Sequence, residues 1–287
     1  MKSVLFFILL FTVSPFTYGG DVVDTLVVGH QGWFFIQITD PQFGMYENNL
    51  GFEKETSLYE KAVAKINSLK PDFVVITGDF VNDPSSASQI KEFKRITAKI
   101  NPKIPVFYTP GNHDLNLHSY PKSIKEYKRN YGNDRFSFKH KGSSFIGFNS
   151  SLIKAKLEHP AQKQYSWLVK KLKESQGASP IILFCHYPFF NKTVDEPTSY
   201  SNIDLECREK YLNLFNTNQV DAVFSGHYHN NSCSNFGNMQ LVTTSALGKP
   251  LGKAPSGMRI VKVYDKSIEH AYFGLDELPE SIELYYY

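Results

Sequence analysis

Five short apolar runs in this chain each stop at Asp, Asn or His set beside Gly or Pro, and that repeated ending restricts the fold more than any other feature. FFIQIT stops at Asp40-Pro41, FVVIT at Gly78-Asp79, and IPVFYT just before Gly111-Asn112-His113-Asp114. PIILFCH ends at His186, two residues before Pro188, and VDAVFSGH runs into Gly226-His227-Tyr228-His229. Runs this short, rich in β-branched and aromatic residues and closed by turn formers, read as buried strands. Between the first two, Leu58, Ala62, Ile66 and Leu69 recur at helical spacing from Glu53 to Lys70, which gives a β-α-β unit. SSFIGFNSS at 143–151 adds a strand, and helices are expected near 160–175 and 205–218. Strands alternating with helices indicate an α/β layered fold. MQLVTTSAL, GMRIVKVYD and SIEHAYFGL are expected to be consecutive strands of a second, partly antiparallel sheet. The expected assembly is therefore an α/β (α+β) four-layer sandwich, with two mixed β-sheets face to face and helices outside. No repeat or long linker interrupts 33–275, so a single domain is expected, placed at residues 30–280.

With 287 residues the chain can bury a full core. A net charge of +3, scattered along the sequence, argues against nucleic acid or an anionic membrane as a stable partner. The start, MKSVLFFILLFTVSPFTYGG, carries one lysine, an apolar run from Val4 to Val13, and small residues at Thr17 and Gly19. That is the pattern of a secretory signal peptide over 1–19, which implies a secreted chain with no membrane span once processed. Cys185, Cys207 and Cys233 leave one thiol unpaired whatever the pairing. Asn149-Ser150-Ser151, Asn191-Lys192-Thr193 and Asn230-Asn231-Ser232 are glycan acceptor patterns, the second in a loop-like setting.

Ligands in α/β sheets gather at the carboxyl ends of strands, so Asp40, Asp79, Asn112, His186, His227 and His229 are expected to face one another. A lone histidine at a strand end is more often structural than a ligand, but here several clusters converge together. Six nitrogen and oxygen donors without a thiolate suit Mn, Fe or Zn, and they are too many for one ion that must keep an open position. Two divalent ions sharing Asp79 fit the count, and paired ions are suited to phosphate ester hydrolysis. The stretch NKTVDEPTSYSN, 191–202, follows one of these strand ends and reads as a substrate lid or rim. His30, His118, His140, His159 and His270 fall outside the pattern and read as surface or structural, and Asp114 reads as a cap or loop residue.

The ordered series TDPQFG, GDFVND, GNHD, CHYP and GHYH resembles the five motifs of the calcineurin-like metallophosphoesterases. DPQFG, FSGHYHNN, TTSALGKPLG, GMRIV and FGLDELPE are similar, more narrowly, to the calcineurin-like phosphoesterase domain-containing protein 1 group, regarded as serine/threonine protein phosphatases. The resemblance implies one metal on Asp40, Gln42, Asp79 and His229 and a second on Asp79, Asn112, His186 and His227. It further implies in-line attack on phosphorus by a hydroxide between the metals, with His113 supplying a proton to the leaving oxygen. The substrate implied is a phosphorylated protein, at phosphoserine or phosphothreonine, or a small phosphate ester.

Three departures stand out. Gln42 replaces a histidine, offering a neutral carbonyl oxygen that favours Mn or Mg over Zn. Asn82 replaces the aspartate that orients the catalytic histidine, with Asp83 as the nearest substitute. Arginines that grip phosphate are missing from TPGNHD and GDFVND, which leaves the 191–202 loop or Asn230 and Asn231 for substrate contacts. Competing readings are a nucleotide or lipid phosphodiesterase and a metal-binding scaffold of weak turnover. A purple acid phosphatase is disfavoured, because Phe80 rather than tyrosine follows Gly78-Asp79.

Overall fold

A computed structural model describes residues 32–285; the leader expected at 1–19, and His30, lie outside the described residues. In chain order the elements are β1 (Trp33–Ile38), α1 (Glu53–Leu69), β2 (Val74–Thr77), α2 (Ala87–Thr97), β3 (Val106–Thr109), α3 (Tyr120–Tyr131), β4 (Phe136–His140) and β5 (Ser143–Gly147). There follow α4 (Ser151–Lys154), α5 (Glu158–Glu174), β6 (Ile181–Phe184), α6 (Leu205–Thr217), β7 (Ala222–Ser225), β8 (Ser232–Phe236), β9 (Met239–Thr243), β10 (Gly257–Val263) and β11 (Ile268–Gly274). They form a five-stranded sheet, β11-β10-β1-β2-β3, and a six-stranded sheet, β4-β5-β6-β7-β9-β8.

The central strands read as unbroken apolar runs because both their faces are covered. Along β1 the side chains alternate: Trp33 and Phe35 enter the core between the two sheets, while Phe34, Ile36 and Ile38 face the helices. Between the sheets Phe35 stacks on Phe73 with ring centroids 4.8 Å apart and meets Phe184 and Phe224 edge-on. Outside the first sheet α1 lays down Tyr59, Ala62, Val63 and Ile66; outside the second, α5 and α6 supply Leu168, Leu172, Leu212 and Phe215. The valine, leucine, isoleucine and phenylalanine side chains among them each contribute about 1.5–3 kcal/mol by leaving water. The result is the four-layer arrangement expected, helices on both outer faces of two mixed sheets. No helix of the described residues is long and apolar enough to cross a membrane.

One expectation is corrected. The last three strands are not consecutive members of one sheet: β9 joins the six-stranded sheet parallel to β7, with Ala222 opposite Gln240, whereas β10 returns to lie antiparallel to β1, with Trp33 opposite Val263. That crossing covers the otherwise open edge of β1 and brings Val261 and Val263 into the core between the sheets. Periodicity reports that a segment is a strand, not which edge it pairs with. The strands β4 and β8 leave a weak signal in the sequence because alternate residues of FSFKH and SCSNF face solvent.

Candidate metal centre

Strand ends from both sheets meet at one point. Thr77 closes β2 with its carbonyl 2.8 Å from His186 Nδ1, which stands just past β6 of the other sheet. Asp40, after β1, accepts the backbone N–H of His227 on Oδ2 at 3.0 Å. Asp40, Gln42, Asp79, His227 and His229 all have left-handed backbone, with φ of 51°, 37°, 50°, 66° and 51°. Non-glycine residues seldom adopt that region, and such strain gathers where side chains must be aimed. Gly226 shows how closely the loops meet: a Cβ there would run into Thr39 Oγ1 and come within 2.6 Å of Asp40 Oδ2.

Each of the three imidazoles has one nitrogen on a backbone carbonyl and the other facing the cluster. His186 Nδ1 donates to Thr77 O, His227 Nε2 to Tyr200 O at 2.9 Å, and His229 Nδ1 to Lys249 O at 2.6 Å. Such a second hydrogen bond fixes the tautomer of a metal-ligating histidine. It leaves His186 Nε2 and His227 Nδ1 facing each other at 3.2 Å, two lone pairs that need a cation between or beside them. Around His186 Nε2 stand Asp79 Oδ2 at 3.2 Å and Asn112 Oδ1 at 3.1 Å. His229 Nε2 lies 3.3 Å from Asp40 Oδ1. Asp40 Oδ1 and Gln42 Oε1 are buried acceptors without a hydrogen bond. A buried set of acceptors with almost no donors suits cations. Two groups of ligand atoms, from Asp40, Asp79 and His229 and from Asp79, His186 and His227, each lie within 4.8 Å of one another and share Asp79.

The titration of these groups reflects the same crowding. Burial opposes charge on Asp79, yet the charge of His186 and its hydrogen bond hold the carboxyl well below the usual range. Burial also opposes charge on His186, but Asp79 and then Asp40 push its imidazole up to about 9. Burial and the charge of His186 push His227 down to about 4.

The structure thus brings together the side chains of Asp40, Asp79, Asn112, His186, His227 and His229; Gln42 adjoins them through its backbone N–H, which donates to the carbonyl of Asp79 at 2.9 Å, and His113 through its own, which donates to Asp79 Oδ1 at 2.8 Å. Neither side chain considered for orienting His113 does so. Its Nδ1 meets the backbone carbonyl of Asn82 at 2.9 Å, while Asp83 Oδ1 caps the N–H and hydroxyl of Ser85. Asp114 is a loop tie: its two oxygens accept the N–H of Phe80 and of Gly111, each at 2.8 Å, joining the loop of Asp79 to that of Asn112. The Oδ1 of Asn231 is committed within the protein, accepting from Arg259 Nη2 at 2.9 Å and Ser245 N at 3.1 Å. The second glycan pattern is likewise occupied, with Asn191 9% exposed and its Nδ2 on Ser201 O. Cys185, Cys207 and Cys233 are all unpaired. Nothing in the sequence points to Tyr200 and Lys249, whose contacts to His227 and His229 are made by backbone carbonyls that every residue type possesses.

Residues 35–231 match the calcineurin-like phosphoesterase family. The chain belongs to that family. It is 35% identical over 265 residues to the rat (Rattus norvegicus) serine/threonine-protein phosphatase CPPED1, covering 86% of this chain and 85% of that protein. In solved structures the fold recurs in a dimetal phosphatase of Danio rerio, with a TM-score of 0.62 at 14% identity over 90% of this chain and 99% of that one. It recurs also in a purple acid phosphatase of yellow lupin (Lupinus luteus), with a TM-score of 0.64 at 15% identity over 85% of this chain, which spans about half of the lupin chain, 52%. At such identities the likeness is one of fold alone.

Proposed function

We propose that this calcineurin-like phosphoesterase hydrolyses phosphomonoesters with two divalent cations, one on Asp40, Gln42, Asp79 and His229 and the other on Asp79, Asn112, His186 and His227. The observation that carries the reading is the pair of ligand clusters hinged on Asp79. When bound, the two ions would share the charge of the attacking water and the phosphoryl oxygens. The protein's own part begins with His113. Donation from Nδ1 to the carbonyl of Asn82 leaves Nε2 as the nitrogen that carries a proton to the leaving oxygen. The partner that holds the ring is thus a neutral backbone carbonyl, where the family usually has a carboxylate.

In place of phosphate-gripping arginines, the 191–202 loop brings Tyr200 over the centre. Its ring stands 4.8 Å from that of His227, and its hydroxyl lies 3.3 Å from Asn112 Nδ2. Because Asn112 Nδ2 donates to the phenol oxygen, the phenol's own proton would be free to donate to a phosphoryl oxygen, while Asn112 Oδ1 would be left for a cation. A buried arginine holds the loop in place. The guanidinium of Arg208, 1% exposed, donates to the carbonyls of Val194 at 2.8 Å, Glu196 at 2.6 Å and Ile203 at 2.8 Å.

The similarity to a named serine/threonine-protein phosphatase, together with DPQFG, supports phosphoserine or phosphothreonine of a protein as substrate. Gln42 supports manganese. The Val4–Val13 run supports export, with residues 1–19 as leader to a domain at 30–280; N-terminal sequencing of chain recovered from culture medium checks this, and an intact Met1 refutes it. The catalytic test compares p-nitrophenyl phosphate, bis-p-nitrophenyl phosphate and a phosphoserine peptide on manganese-loaded protein. Faster hydrolysis of the monoesters, lost by roughly 10²–10⁴-fold in His113→Ala, sustains the reading. Preference for the diester, or no turnover with both ions bound, overturns it.

A further inference from the structure

Gln42 and Asn82, the two residues that depart from the metal and histidine-orienting positions of the family, are in contact: Gln42 Nε2 donates to Asn82 Oδ1 at 3.1 Å. An amide's nitrogen and oxygen are alike in shape, so which end faces where must be settled by the partners. Here the partners settle it. The backbone N–H groups of Asn82 and Asp83 can only donate, and both reach Gln89 Oε1, at 3.1 and 2.9 Å, the first being shared with the carbonyl of Phe43 at 2.9 Å. That fixes Gln89 Nε2 as the end facing Asn49, 2.8 Å from Oδ1. The same Asn49 oxygen accepts Asn82 Nδ2 at 2.8 Å. Asn82 therefore turns Oδ1 toward Gln42, which must answer with Nε2. What remains is Gln42 Oε1, buried and without a hydrogen bond.

We propose that Gln89, Asn49 and Asn82 are positioning residues, a relay of amides anchored on two backbone N–H groups that presents the carbonyl oxygen of Gln42 to the first cation and so selects a hard, oxygen-preferring divalent ion there. The inference rests on the reading that Asp40, Asp79 and His229 hold a cation. Reversal of any one link would reverse the rest and set an NH₂ group, which cannot ligate, where the oxygen stands. The relay is built into the fold. Gln89 is 1% exposed and Gln42 2%. Gly44, with φ of 101°, lies so close that a Cβ would meet Gln89 Nε2 and come within 2.9 Å of Asn49 Oδ1. Gln89 sits three residues after the helix-capping Ser86, the spacing at which a glutamine usually reaches back to the cap's own N–H. Here it reaches past the cap to Asn82 and Asp83. The glutamine and asparagine that look like separate losses in the sequence are thus one device.

The test is Mn²⁺ binding to metal-stripped full chain, read by electron paramagnetic resonance and calorimetry, with melting to confirm that each variant folds. In Gln89→Glu the second carboxylate oxygen cannot donate to Asn49, which breaks the relay. In Asn82→Leu the link to Gln42 is removed, and Asn82→Asp keeps an acceptor in place. Gln89→Glu and Asn82→Leu are expected to weaken one of two Mn²⁺ ions by roughly 10–100-fold, with Asn82→Asp retaining it. In a Gln42→Ala background Gln89→Glu should add no further loss, since the relay acts only through Gln42. Wild-type affinity in Gln89→Glu, or losses that add in the double variant, would overturn the proposal, as would a wild-type chain that binds no Mn²⁺. Two ions bound and weakened as described, with no ester hydrolysed, would leave the relay standing and refute the phosphoesterase reading alone.

Discussion

Replacing Gly226 by alanine is the sharpest single test of how the centre is built. The added Cβ would collide with Thr39 Oγ1 and lie 2.6 Å from Asp40 Oδ2 and 2.9 Å from Thr39 Cβ, all wholly buried. None of these atoms can swing aside freely. Thr39 Oγ1 is held between Asp40 Oδ2 at 2.7 Å and the carbonyl of Thr77 at 3.0 Å, and Asp40 Oδ2 also accepts the N–H of His227. Overpacking of this kind costs about 1–3 kcal/mol, which lowers the melting temperature by about 2–4 °C per kcal/mol in a chain of this size. Because Asp40 must move, Mn²⁺ affinity at the position built on Asp40, Asp79 and His229 should fall as well. Removing the obstructing hydroxyl should relieve the clash. The double variant Thr39→Ala/Gly226→Ala is expected to be less destabilised than the sum of its parts, by about 0.5–3 kcal/mol, in denaturant titrations of metal-free protein. A Gly226→Ala chain as stable as wild type, or strict additivity in the double variant, would refute the claim that these two loops are packed to contact.

Other outcomes follow from the same geometry. In metal-free protein His186 is pushed up to about 9 from 6.5, so its contribution is fully present below about pH 6.5 and is lost as pH rises through about 9; melting should fall over that window by the equivalent of a few kcal/mol, and a flat profile would refute the assignment. Tyr200→Phe should keep both metals while weakening inorganic phosphate binding and raising KM by roughly 10–100-fold, the worth of one hydrogen bond to a charged group; unchanged phosphate affinity by calorimetry counts against it. Arg208→Met leaves the carbonyls of Val194, Glu196 and Ile203 without their donor. Proteolysis within 191–202 should then speed up at unchanged metal content, and a loop cut no faster would show that Arg208 does not hold it.

Much of this protein is legible in its sequence, and particular residues show why. The runs FFIQIT, FVVIT and PIILFCH announce buried strands because a strand covered on both faces tolerates few polar side chains, and the Asp, Asn and His that end them stand out for the same reason. Ligand side chains carry their chemistry in their identity, so Asp40, Asp79, His186, His227 and His229 can be picked out from the chain alone. Partnership is different. That GMRIVKVYD returns to pair with β1 depends on which edge the other strands leave open, a property of the whole sheet and not of the segment. The orientation of His113 passes to the carbonyl of Asn82, and the loop of Tyr200 holds His227 by its own carbonyl; backbone groups are common to all residues and leave no trace in composition. Gln42 marks the boundary. Its identity as a weak oxygen donor is written in the chain, but which of its two amide ends faces the centre is decided only when Gln89, Asn49 and Asn82 are brought from separate turns into one line of hydrogen bonds.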